Sequence, residues 1–308
     1  MTFTVVIPCH NGERTLARTL HSVRMQTHGD WQMIAVDDRS TDKTPWILET
    51  FAALDTRVRI VAGPGKGAAA ARNAALEHGA EGPVAFLDAD DVWEPARLAT
   101  VAPLFGSGAE IAYTRYAFFG EEPGDSLTVS TVPPAPLTVA DLLRENPVGT
   151  MSNLVASRAA LDRAGPFRED MTHGEDREWL VRAAARGLSI VGIDETLLHY
   201  RTSVGGLSTD LEKMHEGWRE SVRTAATLGA LPPPRVLRAA EAVYLRYLAR
   251  RALRLGLPPR VAADYALRGV MHSPRGFLSD GVRGPLTLGS ALAATVAPRL
   301  MRRILVNR

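Results

Sequence analysis

Three carboxylates stand within four residues at Asp88-Ala89-Asp90-Asp91. Aspartates at i and i+2 past a strand end can converge on one hard cation, and such a cation can bridge a diphosphate. The same residues also read as a solvated acidic turn, with Trp93 as a helix staple. A second acidic pair, Asp37-Asp38, precedes Arg39-Ser40-Thr41-Asp42. One of these carboxylates can accept from a nucleobase N–H or a ribose hydroxyl, while Ser40, Thr41 or Asp42 can cap the following helix. Gly65-Lys66-Gly67 leads into an alanine-rich run that carries Arg72 and Asn73. A glycine-flanked helix start with basic residues suits phosphate, and a flexible loop has the same composition. Gly174-Glu175-Asp176 opens another helical pattern. Acidic residues there complement the helix dipole, and one carboxylate can act as general base toward a hydroxyl. His173, His199, Tyr200 and Arg201 lie nearby in sequence and suit either a structural or a functional role. The lone cysteine, Cys9, reads as a small buried residue, since no base partner accompanies it. Neither GxxxxGK[ST] nor GxGxxG occurs.

These groups need elements to position them. Residues 3–8, Phe-Thr-Val-Val-Ile-Pro, form a short apolar run of the buried-strand type. Asn11 then offers a cap, and Leu16, Leu20 and Val23 recur at helical spacing. Strands over 31–36, 57–61 and 84–87 alternate with helices over 45–54 and 68–78, the last ended by Gly79. This order implies a mostly parallel sheet with helices on its faces, and ligands bind at the carboxyl ends of such strands. All the acidic and glycine-rich groups of the first hundred residues fall at those ends. Residues 121–136, rich in Pro, Gly and Ser, read as a long loop. Further on, 151–156 and 189–193 read as strands, 175–185 as a helix, and 235–255 as one long helix.

The chain has 308 residues, 45% hydrophobic and 23% charged, which excludes a disordered or fibrous protein. A single cysteine excludes a disulfide framework and favours a reducing, cytoplasmic compartment. No apolar stretch is long enough to span a bilayer; the longest candidate, 286–298, falls short. The net charge of +2 conceals an asymmetry. Residues 216–308 hold 16 arginines, no lysine and 5 acidic residues, a net +11, against −9 for residues 1–215. Arg246, Arg250, Arg251 and Arg254 fall on one helix face, while Val243, Leu245, Leu248, Leu253 and Leu255 supply apolar surface. Leu300, Met301, Ile304 and Leu305 are interleaved with Arg299, Arg302, Arg303 and Arg308, a pattern suited to an interfacial helix. The break supports two domains, 1–210 and a basic helical region over 211–308.

Seven segments, in order, resemble the inverting family-2 glycosyltransferases of the GT-A fold: VVIPCHNGERTLARTLHSV, VDDRSTDKT, GPGKGAAAARNAALEHGA, FLDADDVWEPARL, RAALDRAGPFRED, HGEDREWLVRAA and LLHYRTSVGGLST. The resemblance covers residues 3–209 and implies a Rossmann-like mixed, mostly parallel sheet flanked by helices. It further implies transfer of a sugar from a nucleoside-diphosphate sugar, a UDP-sugar foremost, to an acceptor hydroxyl, assisted by Mn²⁺ or Mg²⁺. By that resemblance Pro8, His10, Glu13 and Asp38 line the nucleoside pocket and Asp88 and Ala89 meet the ribose and sugar. Lys66 and Arg72 approach the base or diphosphate, Asp90 holds the metal, and Asp176, paired with Glu175, is the catalytic base. His173, Tyr200 and Arg201 border the acceptor, the last two beginning a closing loop. The sequence differs from the family pattern at His10, usually aromatic, and at Arg39, usually glycine. The implied partners are a nucleotide-sugar donor and a sugar, lipid-linked or small-molecule acceptor, with no nucleic acid. The basic helices imply peripheral contact with the inner face of a membrane, or a homodimer. A nucleotidyltransferase and a non-catalytic sugar-nucleotide-binding module are the competing readings. The first lacks its glycine-rich basic loop after the first strand; the second fits poorly with Asp88, Asp90 and Asp176 all present.

Overall fold

The computed structural model describes residues 1–125, 128–202 and 209–297. The chain runs β1 (Phe3–Cys9), α1 (Leu16–Arg24), β2 (Trp31–Asp37), α2 (Thr44–Leu54), β3 (Val58–Ala62), α3 (Ala68–Glu77) and β4 (Val84–Phe86). There follow β5 (Val92–Trp93), α4 (Arg97–Gly106), β6 (Ile111–Phe119), α5 (Val139–Arg144), a 3₁₀ turn (Met151–Asn153), β7 (Val155–Ala156), α6 (Arg158–Ala164), α7 (Glu175–Ala185) and β8 (Ile190–Arg201). The remaining elements are helical: α8 (Leu211–Thr227), α9 (Pro234–Arg254), α10 (Pro259–His272), α11 (Pro274–Phe277) and α12 (Arg283–Val296). Two compact units result, Met1–Leu137 with Pro147–Ser203, and Thr138–Asn146 with Val204–Arg308.

In the first unit the strands form one sheet in the order β3-β2-β1-β4-β7-β6-β8-β5. The β1–β2, β1–β4, β2–β3 and β6–β8 pairs are parallel, and β7 and β5 add antiparallel pairings. All seven residues of β1 are buried, as expected for a central strand covered on both faces. Leu16, Leu20 and Val23 of α1 pack onto Phe3, Val5 and Ile7 in the same core. The mixed sheet and flanking helices agree with the expected fold class. Several local expectations change. Asn11 does not cap α1, which starts only at Leu16; Asn11 has a left-handed backbone and its Oδ1 accepts from the Thr41 amide at 2.8 Å. Trp93 is not a helix staple but pairs with Leu198 across the β5–β8 ladder. The strand expected over 151–156 is mostly a 3₁₀ turn, and the one expected over 189–193 continues to Arg201. Tyr200 and Arg201 therefore end a strand instead of beginning a loop.

A buried polar cluster joins the two halves of this sheet. Asn153 donates from Nδ2 to the carbonyls of Thr114 (2.6 Å) and Val148 (3.0 Å), and its Oδ1 accepts from the Thr114 amide and hydroxyl. The fully buried Arg97 donates to the same Oδ1 and to the Thr114 hydroxyl, and lies over the Trp93 ring. Desolvation pushes its guanidinium down to about 9. Trp93 in turn donates to the carbonyl of Ser152, whose hydroxyl accepts the amide of Asp88.

The second unit is helical among its described residues. Trp218 of α8 donates to the carbonyl of Leu143 at the end of α5, and Tyr244 of α9 donates to that of Met214. Arg246 does not belong to an exposed basic face. It is buried, donating to the carbonyl of Phe277 at 2.7 Å and to Glu145 at 3.3 Å. The basic-apolar stretch 299–308 lies outside the described residues, as do 203–208 of the boundary loop. No helix among the described residues is long and apolar enough to cross a membrane.

Asn153→Ala strands buried donors and acceptors that nothing else can reach. It should lower unfolding free energy by roughly 3 kcal/mol, read as an earlier urea midpoint at unchanged slope. A loss below about 1 kcal/mol would show that the cluster is dispensable.

Candidate active site

The β4 strand ends in a tight turn, with the Asp91 amide bonding the carbonyl of Asp88. Helix α1 clamps this turn from one side. Thr15 donates to the carbonyl of Ala89 at 2.9 Å and Thr19 to that of Asp91 at 2.8 Å. Arg201, at the end of β8, clamps it from the other. Its amide donates to the Asp91 carboxylate and its Nε to the carbonyl of Asp90. Asp91 is thereby turned inward and buried, while Asp88 and Asp90 stay partly open. Three acids in such a turn repel one another. Burial first, then the charge of Asp88, pushes the Asp90 carboxyl up to about 6. Burial and the charges of Asp90 and Asp88 hold Asp91 well above the usual carboxylate range.

The neighbouring cation is Arg72, 3% exposed on α3. It donates to Asp88 Oδ1 at 2.7 Å and to Glu175 Oε1 at 3.1 Å. Arg72 therefore binds two carboxylates of the protein itself. Asp88 receives a further bond from the Thr150 hydroxyl at 3.2 Å. Burial and the adjacent Asp176 raise the Glu175 carboxyl, with Arg72 opposing. Asp176 makes no hydrogen bond or ion pair among the described residues. Both acids sit in the first turn of α7, launched by Gly174 in a left-handed conformation. Asn73, one residue beyond Arg72, fixes the approach to that helix by bonding both polar groups of the Phe167 backbone.

The third group lies at the ends of β1, β2 and β3. Asp38 is buried, and its two carboxylate oxygens accept the amides of Gly65 (2.6 Å) and Gly67 (2.7 Å). A Cβ at Gly63 would stand 2.6 Å from Asp38 Oδ1, so this approach requires glycine there. Asp38 thus organises the loop from which α3 starts. His10 is exposed and donates from Nδ1 to the carbonyl of Asp38, leaving Nε2 to accept from Asn11. Arg39 has φ 62, the conformation for which the family pattern carries glycine. Glu13 accepts the Lys43 amide at the start of α2. Pro8 is buried within β1, and Lys66 is exposed on the glycine loop. His173 pairs with the neighbouring Thr172 hydroxyl, and Tyr200 packs against Tyr116 and Phe118. The structure brings Asp88, Arg72 and Glu175 into contact, and Asp90 beside Arg201. His10 and Asp38 form a separate group, with Glu13 at the start of α2.

Thr15, Thr150 and Ser152 were not anticipated from sequence. The signal for the last two was a run of polar residues, Thr150, Ser152 and Asn153, inside the mostly apolar stretch 148–156. Asp88 and Asp90 offer the hard oxygen donors that suit a divalent cation. Among the described residues no group of three or more His, Cys, Asp or Glu can hold a metal alone.

The family model described as Glycosyl transferase family 2 matches residues 4–165. The UDP-Glc:alpha-D-GlcNAc-diphosphoundecaprenol beta-1,3-glucosyltransferase WfgD of Escherichia coli is 28% identical over 210 residues, 67% of this chain and 79% of that protein. Staphylococcus aureus TarS, solved with UDP-GlcNAc, superposes with TM-score 0.62 at 15% identity, covering 96% of this chain and 91% of that one. The mannosyltransferase PcManGT of Pyrobaculum calidifontis, solved with GDP-Man and Mn²⁺, gives 0.61 at 18% identity over 96% and 87%.

Arg72→Met leaves two carboxylates facing each other without their shared cation. It should cost about 3–5 kcal/mol of stability at pH 7. Glu175, already raised, rises further in the variant. The deficit should therefore shrink as pH falls and the acid takes up a proton. An equal deficit at pH 7 and pH 4.5 in chemical denaturation would make the loss one of packing alone.

Proposed function

The chain belongs to glycosyl transferase family 2 and is a nucleotide-sugar transferase, and from that premise we propose an inverting transfer from a UDP-sugar to an acceptor hydroxyl, with Asp176 as general base. The observation that carries this reading is the contrast within the acidic pair. Glu175 is tethered through Arg72 to Asp88, whereas Asp176 has its carboxylate uncommitted. One guanidinium thus links the turn that receives the donor to the helix that carries the base. In the reaction the acceptor hydroxyl gives its proton to Asp176 as its oxygen bonds the anomeric carbon. The bond from that carbon to the diphosphate breaks, and its electron pair leaves on the phosphate oxygen. Attack from the face opposite the leaving group inverts the centre.

Asp90, with Asp88 beside it, would hold Mn²⁺ or Mg²⁺, which supplies charge neutralisation for the leaving diphosphate. Lys66, exposed on the glycine loop, is a cation that can join it while Arg72 is committed internally. His10, Glu13, Pro8 and the Asp38-ordered loop border the nucleoside, with Asp88 and Ala89 toward the sugar. Arg201 secures the turn, and His173 and Tyr200 face the acceptor. A uridine donor is supported by the UDP-sugars named for WfgD and TarS. A lipid-linked acceptor is supported by the diphosphoundecaprenol in the name of WfgD. We assign the chemistry to residues 1–210, acting in the cytoplasm, and treat 211–308 as an added helical region.

Asp176→Asn should lower kcat by roughly two to four orders of magnitude while donor affinity stays unchanged in calorimetry. Transfer at the wild-type rate would move the base to Glu175. Asp90→Asn should remove the Mn²⁺ dependence of nucleoside diphosphate binding without altering the melting curve; unchanged metal-dependent affinity would place the cation elsewhere. Product analysis should find nucleoside diphosphate, whereas release of pyrophosphate would favour a nucleotidyltransferase.

A further inference from the structure

Helix α12 is patterned the opposite way from a helix that faces water. Its buried residues are small: Gly284, Thr287, Ala291 and Ala294. They let the helix lie close on α9 and α10. A Cβ at Gly284 would stand 2.7 Å from the carbonyl oxygen of Phe277. The large residues point outward instead, with Val282 66% exposed, Leu286 64%, Leu292 42% and Val296 86%. Pro285, Gly289 and Ala293 are exposed between them. No charged residue occurs from 284 to 298. A helix in water puts its polar residues on that side, and contiguous exposed apolar surface marks a place where something binds.

Arginines predominate near the start of this helix, with Asp280 the acid among them. Arg283 begins α12, with Asp280 as its partner at 3.4 Å. Arg250 and Arg254 stand one turn apart on α9, and neither makes a hydrogen bond or ion pair among the described residues. Burial, then Arg254, Arg283 and Arg246, hold the Arg250 guanidinium below its ordinary value, with Asp280 opposing. Burial and the charges of Arg251 and Arg283 act on Arg254 in the same direction. No acidic residue follows Asp280 in the sequence, whereas Arg299, Arg302, Arg303 and Arg308 do.

An apolar strip bordered by arginines matches the boundary between headgroups and acyl chains in an anionic bilayer. A symmetric pair of these faces would set the same arginines against each other. We propose that the outward face of α12, together with Arg250, Arg254 and Arg283, is a membrane-docking surface for anionic lipids. The apolar residues enter the upper acyl region while the guanidinium groups meet lipid phosphates.

The test is flotation of the full chain with vesicles of phosphatidylglycerol and phosphatidylcholine, against vesicles of phosphatidylcholine alone. Binding should require the anionic lipid and weaken with salt. Substituting Leu286→Glu and Leu292→Glu together should lower partitioning by roughly two orders of magnitude. Both leucines are exposed, so the melting curve should not move. Arg250→Ser, Arg254→Ser and Arg283→Ser should each lower partitioning by about fivefold. Failure of the wild type to float, or flotation unaffected by the paired leucine substitutions, overturns the proposal. So does a dimer in light scattering that those substitutions dissociate without changing flotation. The assay uses neither donor nor acceptor, so its failure leaves the transferase reading untouched.

Discussion

The guanidinium of Arg72 is the interaction on which the rest of the first unit depends. A buried arginine is tolerable only when its donors and its charge are answered. Here the answers come from two carboxylates on separate segments, Asp88 after β4 and Glu175 at the start of α7. The planar fork can serve both at once, which a lysine ammonium on a flexible stem does poorly. Its own placement is equally constrained. Arg72 projects from α3, α3 starts after Gly67, and the amide of Gly67 is held by Asp38. A chain of charge-assisted contacts thus runs from the end of β2 to the acidic pair of α7. Removing Arg72 leaves Asp88 and Glu175 without their shared cation, and removing Asp38 leaves the Gly65 and Gly67 amides unpaired, so the residues form a unit.

The turn at Asp88–Asp91 works against stability in the same unit. Burial first, then the neighbouring acidic charges, raise the proton affinity of Asp90 and Asp91. Arg72 and Arg201 offset this only in part. Arg201 addresses the inward Asp91 through its amide, and Asp90 through a carbonyl, so the Asp90 carboxylate receives no direct ion pair among the described residues. A fold selected for stability alone would replace at least one of these acids. Under the proposed function, the cation that Asp90 would hold supplies the positive charge this turn lacks.

Much of this was legible in the sequence because it depends on short-range pattern. The apolar runs of β1 to β4, the spacing of Leu16, Leu20 and Val23, and the Gly79 stop all reveal themselves locally. So do the acidic turn and the start of α7 at Glu175. The antiparallel side of the sheet was not legible. β5 and β7 have two residues each, and their pairing is decided by partners far along the chain. Nor could pattern show that Arg72 meets Asp88 and Glu175, because carboxylate and phosphate call for the same residue at the same helix start. Asn11 looked like a cap by type, but the helix begins several residues later, and its side chain serves the facing loop instead. Composition recognises what a group can bind, and only the three-dimensional neighbours decide what it does bind.

The two units resolve charge differently. In the first, Arg72 is answered by Asp88 and Glu175 and Arg182 by Glu178, while the buried Arg97 meets only neutral oxygens. In the second, Arg246 is absorbed in that manner, but Arg250 and Arg254 on the same helix are not. Helix α12 repeats the inversion in apolar terms, hiding glycine and alanine while exposing leucine and valine. Burying small residues yields little hydrophobic free energy per helix, and exposing large ones forfeits more. A helix so arranged gains little from its own unit beyond close backbone packing. Its composition becomes favourable only against a second apolar phase, and the arginines beside it favour one whose border is negative.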